Sequence, residues 1–522
     1  MINDPITQFT AAELKLIEQM NAQLTHDTAL AKLKELLQVA VEIELATIPI
    51  YLYTYYSIDR TRFSGAHMRE TDIFANKAGG AVMSVAVEEM LHMSLSSNIL
   101  YSLGQMPQLY LRAPQSYPAP LPFHNPQGPK GPNGGTDVRI PLAKLTYEQL
   151  WHFLQIEYPE APDATPQDSD WDSIGQVYSY IRCLIACDHL TDADFTQGPQ
   201  PHQIQGFNYS PNNTDTVHPS GKFDPWKAAP NPAIPNPPPG SDPLPSASDA
   251  AVYSNAADSH AGPAELITIG SKQDAYFAID TVCDQGEGYS QPGLPTQEYD
   301  DQSKSELSHY YKFLTIQAQF DRFEHYVEQL PANPAPPAPV TPTMTEAGLV
   351  ADKVVFDYPD NPMTADYPTE FQPISNFCNG VFQYMLVLTE TLFLVPPEEQ
   401  KLFFNEGMHR SMIWVLDKYI QGMRKVSIPS GKFAGKSFAC TFENLDLGTR
   451  EASFATLRDL GTAAIAAANT LAAADKTKYG SLASNVTYYV DQTFGVTDGT
   501  TKFMPLPDVK DFWNGDTPVS NG

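Results

Sequence analysis

Cysteine is scarce in this chain: five among 522 residues (Cys183, Cys187, Cys283, Cys378 and Cys440), with no Cys-x-x-Cys. An odd, scattered set supplies neither a disulfide framework nor a thiolate zinc site. Cys183 and Cys187 fall on one helix face and read as buried thiols. Basic residues are scarce too, with 32 Lys+Arg against 61 Asp+Glu and a formal net charge of -29. A surface so acidic repels phosphate backbones and anionic headgroups, which argues against nucleic-acid and membrane partners. The opening Met1 to Leu14 has neither the basic nor the apolar region of a secretory signal. No run approaches the roughly 18 apolar residues that span a bilayer; the longest candidate, Tyr384 to Pro396, is interrupted by Glu390. The expected compartment is the cytoplasm. A fixed-period repeat is also missing, which excludes a solenoid or propeller.

What the chain does have is apolar mass. Hydrophobic residues make up 42% and aromatics 11%, enough for a sizeable packed core. The length exceeds one ordinary domain. Two proline-rich stretches, Pro230 to Pro245 and Pro331 to Pro342, can neither continue a helix nor pair as inner strands. They divide the expectation into a bundle over 1–330, a linker over 331–345 and a mostly helical C-terminal region over 346–522 that packs on the bundle. Within the first unit, residues 190–262 read as a Pro/Gly-rich excursion.

Between these loops the apolar period is helical. From Leu30 to Ser57 it runs through Leu33, Leu36, Leu37, Ala40, Val41, Leu45 and Ile48. A second long pattern covers Thr71 to Leu103, with Gly104 as its stop. Further helices are expected from Ser173, over Lys272 to Cys283, Ser303 to Leu330, Ile374 to Leu394, Pro397 to Met423 and Arg450 to Ala474. A strand or two is expected around Glu265 to Ile269 and in the C-terminal third. The fold class is mainly α.

The sharpest chemical signal is Glu-x-x-His, whose two side chains share a helix face and can grip one ion. Twelve histidines, each with about a one-in-twenty chance of Glu three residues earlier, would give fewer than one such pair. Three occur: Glu89/His92, Glu306/His309 and Glu406/His409. Carboxylate and imidazole donors without thiolate suit iron or manganese rather than structural zinc. A dinuclear carboxylate bundle also needs one Glu from each of two other helices. Glu44 is the polar residue in the stripe of Leu37, Ala40, Val41 and Ile48, while Glu42 points about 200° away. A lone carboxylate on an apolar face costs several kcal/mol unless paired or coordinated. Glu406/His409 lies beyond the second proline stretch and is kept as a rival pair. Tyr51, Tyr53, Tyr310 and Tyr311 are near enough in sequence to act as relays or donors, but core packing is the simpler reading, as it is for Met90 and Met93.

The ordered blocks ELATIPIYLYTYYSI after LLQVAV, AVEEMLHMSLSSNIL, SIGQVYSYI, AIDTVCDQGEG and SELSHYYKF resemble one family. It is the ferritin-like family that includes the iminophenyl-pyruvate dimer synthase domain of violacein biosynthesis. The resemblance spans roughly residues 30 to 330 and extends to about 445 if FAGKSFACTFENL is its GPxFE-type ending. It implies a ferritin-like four-helix core, iron and an oxidative role. It places Glu44 as the first-helix carboxylate, Glu89 with His92 on the second helix, and Glu306 with His309 at the head of the last. The remaining carboxylate is open. Relatives carry Glu in the IGxxY block where this chain has Gln176; Glu287 in DQGEG is preferred, because a hairpin would bring it level with Glu306. Asp284 is a further departure from an EQGEG pattern.

The resulting expectation is a non-haem di-iron oxidoreductase, with two iron ions and manganese as the alternative. A small organic substrate, such as an amino-acid-derived imine in secondary metabolism, would react with O2 or peroxide. Iron storage without organic chemistry and a metal-free structural bundle are the other readings. The oligomeric state, including a homo-oligomer, is left open.

Overall fold

The computed structural model describes residues 9–59, 70–122, 139–157, 164–169, 171, 173–205, 266–287, 309–317, 346–495 and 505–519. Most of the Pro/Gly-rich excursion, the linker and Glu306 lie outside them. Among the described residues, seven α-helices build the N-terminal unit: α1 (Ala11–Gln23), α2 (His26–Ser57), α3 (Glu70–Ser102), α4 (Tyr147–Ile156), α5 (Ile174–Ala186), α6 (Lys272–Glu287) and α7 (His309–Gln317).

The long pair α2 and α3 forms the spine. Thr25 caps α2, its hydroxyl accepting from the Thr28 N–H, so the helix starts one turn before the expected Leu30. From Val39 to Ser57 nearly every α2 side chain is buried, the pattern of a helix packed on all sides. By length and composition α2 is apolar enough to cross a membrane, contrary to the sequence expectation, and 89% of that apolar window is buried inside the protein. Each large aliphatic buried there stabilises the fold by about 1.5–3 kcal/mol, enough in sum to offset the cost of burying Glu44 among them. Pro49 sits inside α2, removing one backbone donor a turn beyond Glu44. At the end of α3, Gly104 takes a φ of +80°, which a residue with a Cβ adopts at a cost.

Short helices complete the bundle in two pairs. Helices α5 and α6 pack on each other and on α2 and α3, while α4 packs on α7, which also meets α3 and α6. Helix α4 was not expected from the sequence. The expected strand near Glu265 is absent over Leu266 to Ile269, among the described residues. Among the described residues, strand pairing in the C-terminal third comprises a two-residue hairpin, Trp513–Asn514 with Thr517–Pro518, and the bridges Ser427–Ser437 and Ile58–Val355.

The C-terminal region forms a second helical group: Gln372–Thr391, the rod from Gln400 to Met423, Ser453–Ala474 and Lys476–Phe494. The rod passes through π-helical turns at Asn405–His409 and Ser411–Leu416. This group meets the end of α2 directly. Ile58 bridges to Val355, Arg424 donates to the Tyr56 and Ile58 carbonyls at 2.8 and 2.9 Å, and Tyr53 donates to the Pro359 carbonyl at 2.5 Å. One continuous apolar core runs through both groups.

Candidate metal centre

Four of the expected residues meet in the centre of the bundle. Glu44 comes from α2, Glu89 and His92 from α3, and His309 opens α7. Each is less than 5% exposed. The inward face of α2 is the one expected: Glu42 is half-exposed and pairs with Arg112 at 3.6 Å. His92 Nδ1 lies 3.9 Å from both Glu44 and Glu89. His309 Nδ1 lies 3.1 Å from Glu89 and 3.3 Å from Glu157. The donors therefore form two groups, Glu44/Glu89/His92 and Glu89/Glu157/His309, each with its ligand atoms within 4.8 Å of one another. Glu89 belongs to both.

Glu157 is the residue the sequence reading missed. It caps the C-terminus of α4, a ten-residue helix that Thr146 starts by accepting from the Gln149 N–H. The signal was present: Leu150, Phe153 and Leu154 make an apolar stripe, and Glu157 falls on the same stripe, as Glu44 does on α2. Gln176, by contrast, is outside the cluster. It sits in the first turn of α5, where its Oε1 accepts from the Ser173 N–H at 3.3 Å and its Nε2 donates to the Thr165 carbonyl at 3.1 Å. Two residues on, Tyr178 reaches the site and donates to Glu44. Glu287 is the last residue of α6, and its side chain, like the whole of Glu306, lies outside the described residues. The described contact from that helix end is Gln285, whose Oε1 accepts from His92 Nε2 at 3.0 Å.

The rival pair does not build a comparable centre. Glu406 accepts from Arg410 at 3.2 Å, and His409 stacks on Phe404 with ring centroids 5.7 Å apart. Both lie in the π-helical turn Asn405–His409, whose wider winding alters the i, i+3 alignment. Among the tyrosines, Tyr51 donates to Glu157, while Tyr53 and Tyr310 are buried packing residues; nothing is described for the Tyr311 side chain.

Electrostatics shows what the cluster requires. Burial, then the neighbouring Glu89, holds the Glu44 carboxyl well above its ordinary range. Burial and the Glu89 charge push Glu157 up to about 7. Glu89 is itself opposed by burial, but hydrogen bonds from Glu44 and His309 outweigh it and leave the group at about 2. Burial takes His92 down to about 4, so this ring is neutral. For His309 burial acts the same way, yet Glu157, Glu88 and Glu89 outweigh it and hold the ring well above 6.5. Three carboxylates thus converge in a dry pocket, two of them raised above their ordinary range by burial and by one another. The donors fit a pair of divalent ions: three carboxylates and two imidazoles, dry and converging, whose protons an ion would displace.

A Ferritin-like family model matches residues 37–224 and 247–318, a span that contains Glu44, Glu89, His92, Glu157 and His309. A ferritin-like protein from Caulobacter vibrioides, solved by crystallography at 1.95 Å, is similar over 74% of this chain and 96% of its own, with 16% identity and a TM-score of 0.37. A search of curated proteins gives no match.

Proposed function

We propose that this chain, ferritin-like over residues 37–224 and 247–318, is a non-haem di-iron oxidoreductase acting on a small organic substrate. The observation that carries the reading is the double Glu/His group sharing Glu89 in a closed core. Glu44, Glu89 and His92 would hold one ion, and Glu89, Glu157 and His309 the other. Bound iron would supply the redox change for activating O2 or peroxide, a role manganese could share. The chain's own residues prepare that chemistry. Deprotonated carboxylates and neutral imidazoles are what an entering ion would need, and the hydroxyls of Tyr178 and Tyr51 fix the orientation of Glu44 and Glu157. Tyr51, Phe153 and Phe313 pack ring against ring with centroids 4.7–5.3 Å apart, which excludes water from the Glu157 side.

The resemblance to the dimer synthases favours an amino-acid-derived imine as substrate, within secondary metabolism. Coverage of the end of α2 by the C-terminal group favours an enzyme over iron storage, since storage shells pack compact, bare bundles. The test is metal analysis of protein reconstituted with ferrous iron, followed by an anomalous-scattering map and substrate-dependent O2 uptake. Two iron peaks flanking Glu89 with uptake are expected. Absence of iron would end the reading, and elution as a large shell with iron but no uptake would favour storage.

A further inference from the structure

The two donor groups are near copies of each other. Each has one carboxylate of its own, one imidazole presenting Nδ1, and a share of Glu89. Each private carboxylate accepts from one tyrosine, Tyr178 on Glu44 and Tyr51 on Glu157. The two rings lie almost parallel, 5.4 Å apart and 24° from coplanar. The symmetry breaks behind the rings. His92 Nε2 donates to an amide, Gln285 Oε1, at 3.0 Å. His309 Nε2 donates to a carboxylate, Glu88 Oε2, at 2.7 Å, and Lys312 Nζ holds that same oxygen at 2.7 Å.

These partners differ in kind and not in summed charge. The Glu88–Lys312 pair is neutral overall, and so is Gln285. A carboxylate, however, only accepts, so it fixes the His309 tautomer that leaves Nδ1 free for an ion, and it makes that nitrogen more electron-rich. An amide can rotate and offer its NH2 instead, and it is the weaker acceptor. Resting on the dinuclear reading above, we infer that the two ion positions are inequivalent: the His309 position fills first and holds its ion more tightly, with Glu88 and Gln285 as the positioning residues that set the difference.

The test is a manganese(II) titration of the full chain, read by the EPR signal of free ion and by equilibrium dialysis. Wild type should bind in two steps whose Kd values differ by about 10–100-fold, the usual size of such a partner's effect. His309→Ala should remove the tight step and His92→Ala the loose one. Glu88→Gln should weaken the tight step about tenfold or more and bring the two together. Gln285→Glu should strengthen the loose step, and it keeps the test informative if Glu88→Gln leaves Lys312 unpaired and the fold damaged, which circular dichroism would reveal. Two indistinguishable wild-type steps, or unchanged steps in Gln285→Glu, would overturn this inference and leave the dinuclear reading standing. No manganese or iron binding by wild type would overturn both.

Discussion

The C-terminal group and the centre of the N-terminal bundle bury acids differently. In the C-terminal group each buried carboxylate has its own donors. Glu390 takes two hydrogen bonds from Arg450 and two from the backbone N–H groups of Leu109 and Tyr110. Asp417 pairs with Lys418 at 3.0 Å and accepts from Gln421 at 2.8 Å. The half-buried Glu443 accepts from the Thr364 N–H and the Thr441 hydroxyl, both at 2.8 Å. At the centre of the N-terminal bundle three carboxylates, Glu44, Glu89 and Glu157, face one another beside two imidazoles. Glu390 has a cation of its own, whereas these three converge on one another, with tyrosine hydroxyls on two of them. A buried acid with its own cation supports the fold, whereas converging acids raise one another and suit a shared cation.

Substitutions can break this contrast from either side. On the dinuclear reading proposed above, the largest expected effect is at the residue common to both groups: Glu89→Ala should lower iron from about two ions per chain to less than about one, by elemental analysis. His92→Ala and His309→Ala should each lose about one ion, while His409→Ala should keep the wild-type content. Arg450→Ala should act in the reverse sense. It strips the buried Glu390 of its charged partner and should cost about 3–5 kcal/mol in denaturant unfolding, with metal content unchanged. Loss of metal in Arg450→Ala, or its retention in Glu89→Ala, would erase the distinction between the groups.

A pH series sharpens the same point. In the metal-free chain Glu157 is raised to about 7, above its unfolded value of about 4.3. Its contribution to stability is therefore complete below about 4.3 and is lost as pH rises through about 7. A divalent ion needs the deprotonated carboxylate, so it should act oppositely. The gain in Tm on adding manganese(II) is expected to grow between about pH 5 and pH 8. A gain that shrinks over that window would mean Glu157 is not a ligand. The smallest effect is expected at Gln176: Gln176→Glu should leave metal content unchanged and shift stability by less than about 1 kcal/mol, as a change in a helix cap does.

Sequence pattern revealed the parts of the site that sit within long helices. Glu44 interrupts an apolar stripe of period 3.6, and Glu89 and His92 share a face for the same reason; α2 and α3 are long enough for that period to be unmistakable. Glu157 escaped because α4 has ten residues and ends on it, so the stripe comprises only a few positions between loops. Gln176 stands in the sequence as the alternative to Glu287, and its spacing from Ser173 accounts for its place at the start of α5. Ser-x-x-Gln at a helix start is a capping arrangement, and the residue satisfies backbone there. Gln285 and the Glu88–Lys312 pair had no legible signal, since partners behind a ligand are set by tertiary packing and not by periodicity. The C-terminal helices were visible as elements, but their docking onto the end of α2 through Val355 and Arg424 joins Ile58 to residues as far as 366 positions away in sequence, beyond any local pattern.

The crowding of Glu44, Glu89 and Glu157 has a consequence for handling the protein. Burial and the neighbouring carboxylates raise Glu44 and Glu157 above their ordinary range, so an ion must compete with protons for the same oxygens. A chelator should therefore empty the site faster in mildly acidic buffer than at neutral pH.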